Sequence, residues 1–237
     1  MRMRKKKNGE RRLSACAEVI YEGGRLSDPA SEVFGRAGAP VWLEVGAGKG
    51  GFACGMVKKN PEVCYFAMER VSDCVVLAAE RAISLGARDN LRFIVDTADN
   101  LMKIFEGGAI DRMFLNFSDP WSKKGYAKRR LTHRRYLSVY MHLLRDGGTL
   151  RFKTDNVGLF DFTLEELSAV GLEPRIVTRD LHASEWAEDN VVTEYEAAFS
   201  SQGVRINMLE VVKPEGFSLE IPEELREGKI IYGGSRG

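Results

Sequence analysis

Histidine and cysteine are scarce in this chain of 237 residues, with three of the first and four of the second. Cys16, Cys54, Cys64 and Cys74 form no C-x-x-C pair and have no histidine at ligand spacing. Zinc sites are built from closely spaced thiolates and imidazoles, so neither zinc nor another metal is expected, and the three histidines read as structural. Widely separated thiols suit a reduced, cytoplasmic setting. Also missing is any apolar run near the ~20 residues that cross a bilayer, so no membrane partner is expected. No apolar segment follows the basic amino terminus, and no secretory signal is expected either. Net charge is almost absent, because 35 basic residues against 34 acidic leave +1.

The distribution of charge is uneven. Basic residues crowd the amino terminus (Arg2, Arg4, Lys5, Lys6, Lys7, Arg11, Arg12) and return at Lys123, Lys124, Lys128, Arg129, Arg130, Arg134 and Arg135, with no acid after Asp119 in that second stretch. Acids dominate Glu165 to Glu196. Charge segregated in this way can steer a phosphate backbone without a large net charge.

Short apolar runs alternate with stretches of helical period. Strands are expected at Val41 to Val45, Val63 to Met68, Leu91 to Val95, Asp111 to Asn116, Thr149 to Lys153, Arg175 to Thr178 and Arg205 to Val212. Helices fit between them, for example over Phe52 to Lys59, Val71 to Leu85 and Leu159 to Val170. The pattern predicts an α/β fold: a doubly wound, mostly parallel, seven-stranded Rossmann-like sheet, with ligands outside the carboxyl ends of the strands. Residues 1–40 read as a basic arm, 41–212 as the domain, and 213–237 as a tail with little packing.

Five strand ends carry chemistry. Gly46-Ala47-Gly48-Lys49-Gly50-Gly51 follows the first strand, and Gly46, Gly48 and Gly51 match the G-x-G-x-x-G spacing in which the third glycine packs helix on strand. That spacing alone admits a dinucleotide. Glu44 argues against one, because a carboxylate just before the turn opposes a pyrophosphate and suits the ammonium of S-adenosylmethionine. Glu69 ends the second strand, where an acid can take the two hydroxyls of a ribose; neither acid has an evident structural reason to be there. After the third strand, Asp96 or Thr97 can read an adenine amino group, and equally Thr97 or Asp99 can cap the next helix. The fourth strand delivers Asn116 to Arg135, in which Asp119 and the Pro120-Trp121 pair stand before the cations. Trp121 can stack on a base or fill a core. Asp155 closes the fifth strand.

Leu43 to Gly50, Phe117 to Lys124, Lys128-Arg129-Arg130, Phe152 to Asn156 and Thr193-Glu194-Tyr195-Glu196 resemble, in order, the motifs of the bacterial tRNA (guanine-N7)-methyltransferases. The Asp-Pro-Trp motif with its basic follow-on, joined to Thr-Glu-Tyr-Glu, is particular to that family, and the likeness runs from about Met1 to Val212. It implies a class I, S-adenosylmethionine-dependent enzyme that methylates N7 of guanine 46 in the variable loop of tRNA, as a monomer or homodimer. It implies that Glu44, Gly46, Gly48, Glu69, Asp96 or Thr97, and Asp119 hold the methyl donor, with Asp119 also catalytic. Lys123, Asp155, Thr193, Glu194, Tyr195 and Glu196 would meet the substrate base, and Lys124, Gly125, Tyr126, Ala127, Lys128, Arg129 and Arg130 the tRNA. Ser122 departs from a usual proline and Gly125 from a common cation. Two alternatives remain at this stage: an RNA methyltransferase acting on an exocyclic amine, and a non-catalytic RNA-binding protein on the same fold.

Overall fold

A computed structural model describes residues 8–228. Seven strands, β1 (Val41–Val45), β2 (Cys64–Glu69), β3 (Leu91–Val95), β4 (Ile110–Asn116), β5 (Leu144–Thr154), β6 (Pro174–Thr178) and β7 (Asn207–Val212), form one sheet in the order β3-β2-β1-β4-β5-β7-β6. The first five in that order pair in parallel, and β7 runs antiparallel to both β5 and β6. The chain winds outward from β1 to β3 on one side and from β4 on the other. Its switch point therefore lies between β1 and β4, where open α/β sheets leave a crevice at the carboxyl ends.

Around the sheet lie α1 (Gly9–Ser14), α2 (Pro29–Phe34), α3 (Gly51–Lys59), α4 (Ser72–Ser84), α5 (Leu101–Ile104), α6 (Arg134–Leu143), α7 (Val157–Ala169), α8 (Glu194–Ser200) and α9 (Glu223–Arg226). On one face Phe52, Met56, Val75 and Ala79 of α3 and α4 pack on Tyr65, Phe93 and Phe114. On the other, Leu137 and Tyr140 of α6 and Leu159 and Phe160 of α7 pack on Leu43, Leu115 and Phe152. Cover on both faces explains why β2 is apolar from Cys64 to Met68 instead of alternating. Among the described residues no helix is long and apolar enough to cross a membrane.

Three expectations are corrected. The supposed arm is packed: Val19 and Leu26 are buried, Ile20 bridges to Phe93, Leu26 bridges to Phe105, and Arg12 holds Glu80 of α4 through two 2.7 Å bonds. Single bridges and a three-residue turn have no period, so sequence pattern could not reveal them. Residues Arg2 to Lys7 lie outside the described residues. The tail packs as well, since Ile221 and Leu225, four positions apart, join the core beside Leu101 and Ile104. Residues 229–237 again lie outside the description. Finally, the glycine that packs helix on sheet is Gly50, not Gly51. Gly50 has φ +71°, and a Cβ there would stand 2.7 Å from that of Ala78, whereas one on Gly51 would meet the guanidinium end of Arg81.

Candidate active site

The glycine turn sits over the switch point. Gly46 and Ala47 donate their amides to Met68 O (2.8 and 2.9 Å), which ties the turn to the end of β2. Positive φ at Gly46 (+89°) and Gly48 (+55°) lets the backbone fold back without side chains in the crevice. Glu69 has a structural reason to be where it is: Oε2 accepts from Gly48 N (3.0 Å) and Oε1 from Val71 N (2.9 Å). Each of its oxygens keeps a second lone pair for another donor.

Glu44 is buried beneath the turn at 1% exposure. Its Oε1 accepts from Asn116 Nδ2 at 2.9 Å. Its Oε2 and Asn116 Oδ1 are both buried with no hydrogen-bond partner among the described residues. Burial pushes the Glu44 carboxyl up to about 7, Glu69 adds to the shift, and the Asn116 bond and the field of Lys153 oppose it. Two unpaired buried acceptors from adjacent strands are unstable alone and fit a compact cationic donor such as an ammonium. Asn116 was not among the expected site residues. Its signal was a polar side chain ending an apolar strand beside the strand of Glu44.

At the end of β3, Asp96 Oδ1 accepts from Thr97 N and Asn100 Nδ2, both at 2.7 Å. Thr97 Oγ1 is buried with no partner among the described residues, and Asp99 turns away to Arg135 (2.8 Å) and the Tyr136 hydroxyl (3.0 Å). Neither Thr97 nor Asp99 caps the following turn; Asp96 braces it.

Beyond β4 the backbone is strained. Phe117 (φ +52°) and Trp121 (φ +41°) occupy the left-handed region and bracket Ser118-Asp119-Pro120. Bulky side chains there cost of order 1–3 kcal/mol each and persist where the surroundings impose them. Arg130 imposes part of it by donating to Pro120 O (2.9 Å) and Trp121 O (3.2 Å). Asp119 is exposed at the rim, 3.6 Å from Arg70 Nη2.

The chain that carries this rim of acids around a glycine turn has relatives among known proteins. Residues 38–209 match a family model described as a putative methyltransferase. A tRNA (guanine-N(7)-)-methyltransferase of Macrococcus caseolyticus (strain JCSC5402) is 40% identical over 210 residues, 89% of this chain and 99% of that protein. One of Lysinibacillus sphaericus (strain C3-41) is 41% identical over 211 residues, 89% of this chain and 97% of its own length. The chain belongs to the tRNA (guanine-N7)-methyltransferase family. Its fold resembles that of the 16S rRNA methyltransferase KamB (TM-score 0.57, 14% identity, 82% of this chain and 97% of that one). The antibiotic-resistance methyltransferase Kmr is similar too (TM-score 0.55, 20% identity, 84% and 98% covered).

The basic stretch of this methyltransferase divides in two. Lys123, Lys124, Gly125, Tyr126 and Lys128 are exposed, with Ala127, Arg129 and Arg130 half-buried among them. The Arg129 guanidinium lies 5.1 Å from the Trp121 ring and 4.4 Å from that of Tyr126, and Trp121 is half-buried beside them. Arg135 is buried and pairs with Asp99 at 2.8 Å, whereas Arg134 keeps a 52% exposed side chain while pairing with Glu166 at 2.8 Å. The absence of acids nearby in sequence did not mean their absence in space.

The Thr193 to Glu196 motif of the methyltransferase is also divided. Glu196 is wholly buried: Oε2 accepts from Lys153 Nζ at 2.7 Å, and Oε1 lies 2.6 Å from Asn190 Nδ2 and 2.7 Å from His182 Nε2. Thr193 caps α8 by a reciprocal capping box with Glu196. Both side chains are engaged in holding α8 and the end of β5 together. Glu194 pairs with Arg81, and Tyr195 packs between the rings of Phe117 (5.0 Å) and Phe199 (4.3 Å). Burial and a hydrogen-bonded neighbour, Asp155, push the Tyr195 hydroxyl up. Tyr195 and Asp155 thus form the outward face of this motif. Lys153, which the sequence suggested only as a motif member, is its internal anchor.

Proposed function

We propose that this chain transfers a methyl group from S-adenosylmethionine to N7 of a guanine in tRNA, and that the guanine is number 46 of the variable loop. The observation that carries the reading is the pair of unpaired acceptors on Glu44 and Asn116, buried under a glycine turn and beside the strained Asp119 loop. Relatives that share about two residues in five over nearly their whole length bear the corresponding name.

When bound, S-adenosylmethionine supplies a methyl group on a positively charged sulfur. Glu44 and Asn116 hold its ammonium, Glu69 its ribose hydroxyls and Asp96 its adenine amino group, with Thr97 alongside. Guanine N7 brings its own lone pair, so the protein has to align the base more than activate it. Transfer leaves positive charge on the base, and the Asp119 carboxylate stabilises that charge by accepting from the N1-H and amino edge. Arg70 orients Asp119. Lys123, Asp155 and Tyr195 position the base, Glu196 and Thr193 act through the placement of α8, and Lys124 to Arg130 hold the phosphates around it.

The test uses labelled S-adenosylmethionine and unmodified tRNA transcripts, followed by reduction and aniline cleavage, which cuts at N7-methylguanosine. One cut at position 46 is expected. Methyl incorporation without cleavage would place the group on an exocyclic amine and overturn the reading.

A further inference from the structure

Five neighbouring strands each place one residue on the sheet face that carries α3: Trp42 (β1), Arg112 (β4), Arg151 (β5), Glu210 (β7) and Arg175 (β6). They line a cavity of about 250 Å³ that Lys59, Trp186 and Asp189 complete. It is separate from the rim. Trp42, Arg112 and Arg175 lie near the amino ends of strands whose carboxyl ends carry Glu44, Asn116 and the approach to Asp180, so the cavity opens toward the opposite end of the sheet.

Its charges do not balance. Glu210, wholly buried, takes Arg151 at 2.8 Å and also pairs with Arg175; Lys59 stands 3.6 Å from Asp189. Four cations against two carboxylates leave an excess of two positive charges. Arg112 is the unmatched member. Its Nε donates to Thr149 Oγ1 (3.1 Å) and its guanidinium lies 5.0 Å from the Trp42 ring, while its terminal nitrogens meet no acceptor among the described residues. Burial pulls this guanidinium down, Glu210 and Asp189 oppose that, and Arg151 and Arg175 reinforce it. Desolvated positive charge in excess of its counter-charges draws an anion, and a fork of free N-H donors matches the oxygens of a phosphate. A volume below the roughly 300–1,000 Å³ of sites for drug-sized ligands suits one such group and not a whole cofactor.

We propose that this cavity is a second binding site that takes a phosphate group, with Arg112 as donor and Arg151 and Arg175 supplying the field. The phosphate comes from a free phosphate compound or from the backbone of the RNA; the chemistry at the site is the same. The experiment is calorimetric titration of the full chain with inorganic phosphate at fixed ionic strength in chloride. One saturable site is expected, weakened at least tenfold in Arg112→Gln and several-fold in Arg175→Gln, with circular dichroism unchanged. Arg175 has a 59% exposed side chain, so its variant keeps the test valid if Arg112→Gln does not fold. No saturable binding, or equal binding by a folded variant, would mean that the arginines only neutralise Glu210, and the proposal would be wrong. Repeating the titration with tRNA separates the sources. Competition assigns the site to the RNA backbone, and simultaneous binding assigns it to a free phosphate.

Discussion

Lys153 Nζ lies 2.7 Å from Glu196 Oε2, with 1% of the lysine side chain and none of the glutamate exposed. The pair joins the end of β5 to α8, and Asn190 and His182 fill the remaining positions around the carboxylate. Removing one partner strands a buried charge. Glu196→Leu should cost about 3–5 kcal/mol in urea denaturation, and Lys153→Met combined with Glu196→Leu less than the sum of the two single changes.

The same pair sets a response to acid. Burial pushes the Glu196 carboxyl up, but Lys153, His182 and Asn190 together hold it below the usual range. A carboxylate depressed in the fold stabilises above its unfolded value of about 4.3 and loses that contribution as pH falls through the folded value. The urea midpoint should therefore drop below about pH 4, and Glu196→Gln should lack that component.

Glu44 works in the opposite sense. Its carboxyl is raised from 4.5 to about 7, so the fold binds the extra proton and stability falls as pH rises between those values. Pairing with an ammonium requires ionisation, so S-adenosylmethionine affinity should rise from pH 6 to pH 8 with release of a proton. Calorimetry in buffers of different ionisation enthalpy measures that release. Glu44→Gln should abolish it, weaken binding, and be more stable than the wild type at pH 8.

Much of the sheet and its acidic rim was legible because buried parallel strands are continuous apolar runs and their ends are marked by Glu44, Glu69, Asp96 and Asp155. The interior polar contacts were not. Arg135 finds Asp99 across 36 residues, Arg134 finds Glu166 across 32, and Lys153 finds Glu196 across 43, separations at which local charge pattern carries no information. The Gly50 and Gly51 pair shows the same limit at short range. Spacing selected Gly51, while the neighbour that excludes a side chain, Ala78, comes from α4.

Gly50→Ala should lower the melting temperature by several degrees, as expected for a left-handed residue forced against a neighbouring helix, and Gly51→Ala by much less. A larger loss in Gly51→Ala would return the packing role to that glycine.

Asp119→Ala should abolish methyl transfer and leave tRNA binding within a few-fold, since its carboxylate is exposed at the rim and supports no core contact. Activity retained in this variant would remove Asp119 from the chemistry.

The tRNA grip should reside in the exposed lysines. Replacing Lys124 and Lys128 by alanine should flatten the salt dependence of tRNA binding by up to ~2 units in slope. Arg135→Met should instead unfold the protein more easily, because its guanidinium is committed to buried Asp99.

Leu225 has a bearing on how the chain can be cut. The family match stops at residue 209, inside β7, yet Ile221 and Leu225 complete the layer around Leu101 and Ile104 just past the Asp96 bend. A protein shortened after Val212 would expose that layer to water beside the crevice at the carboxyl ends of the strands. The minimal expressible unit is therefore longer than the segment the family model matches, and the residues beyond β7 belong to any fragment intended for crystallisation or screening.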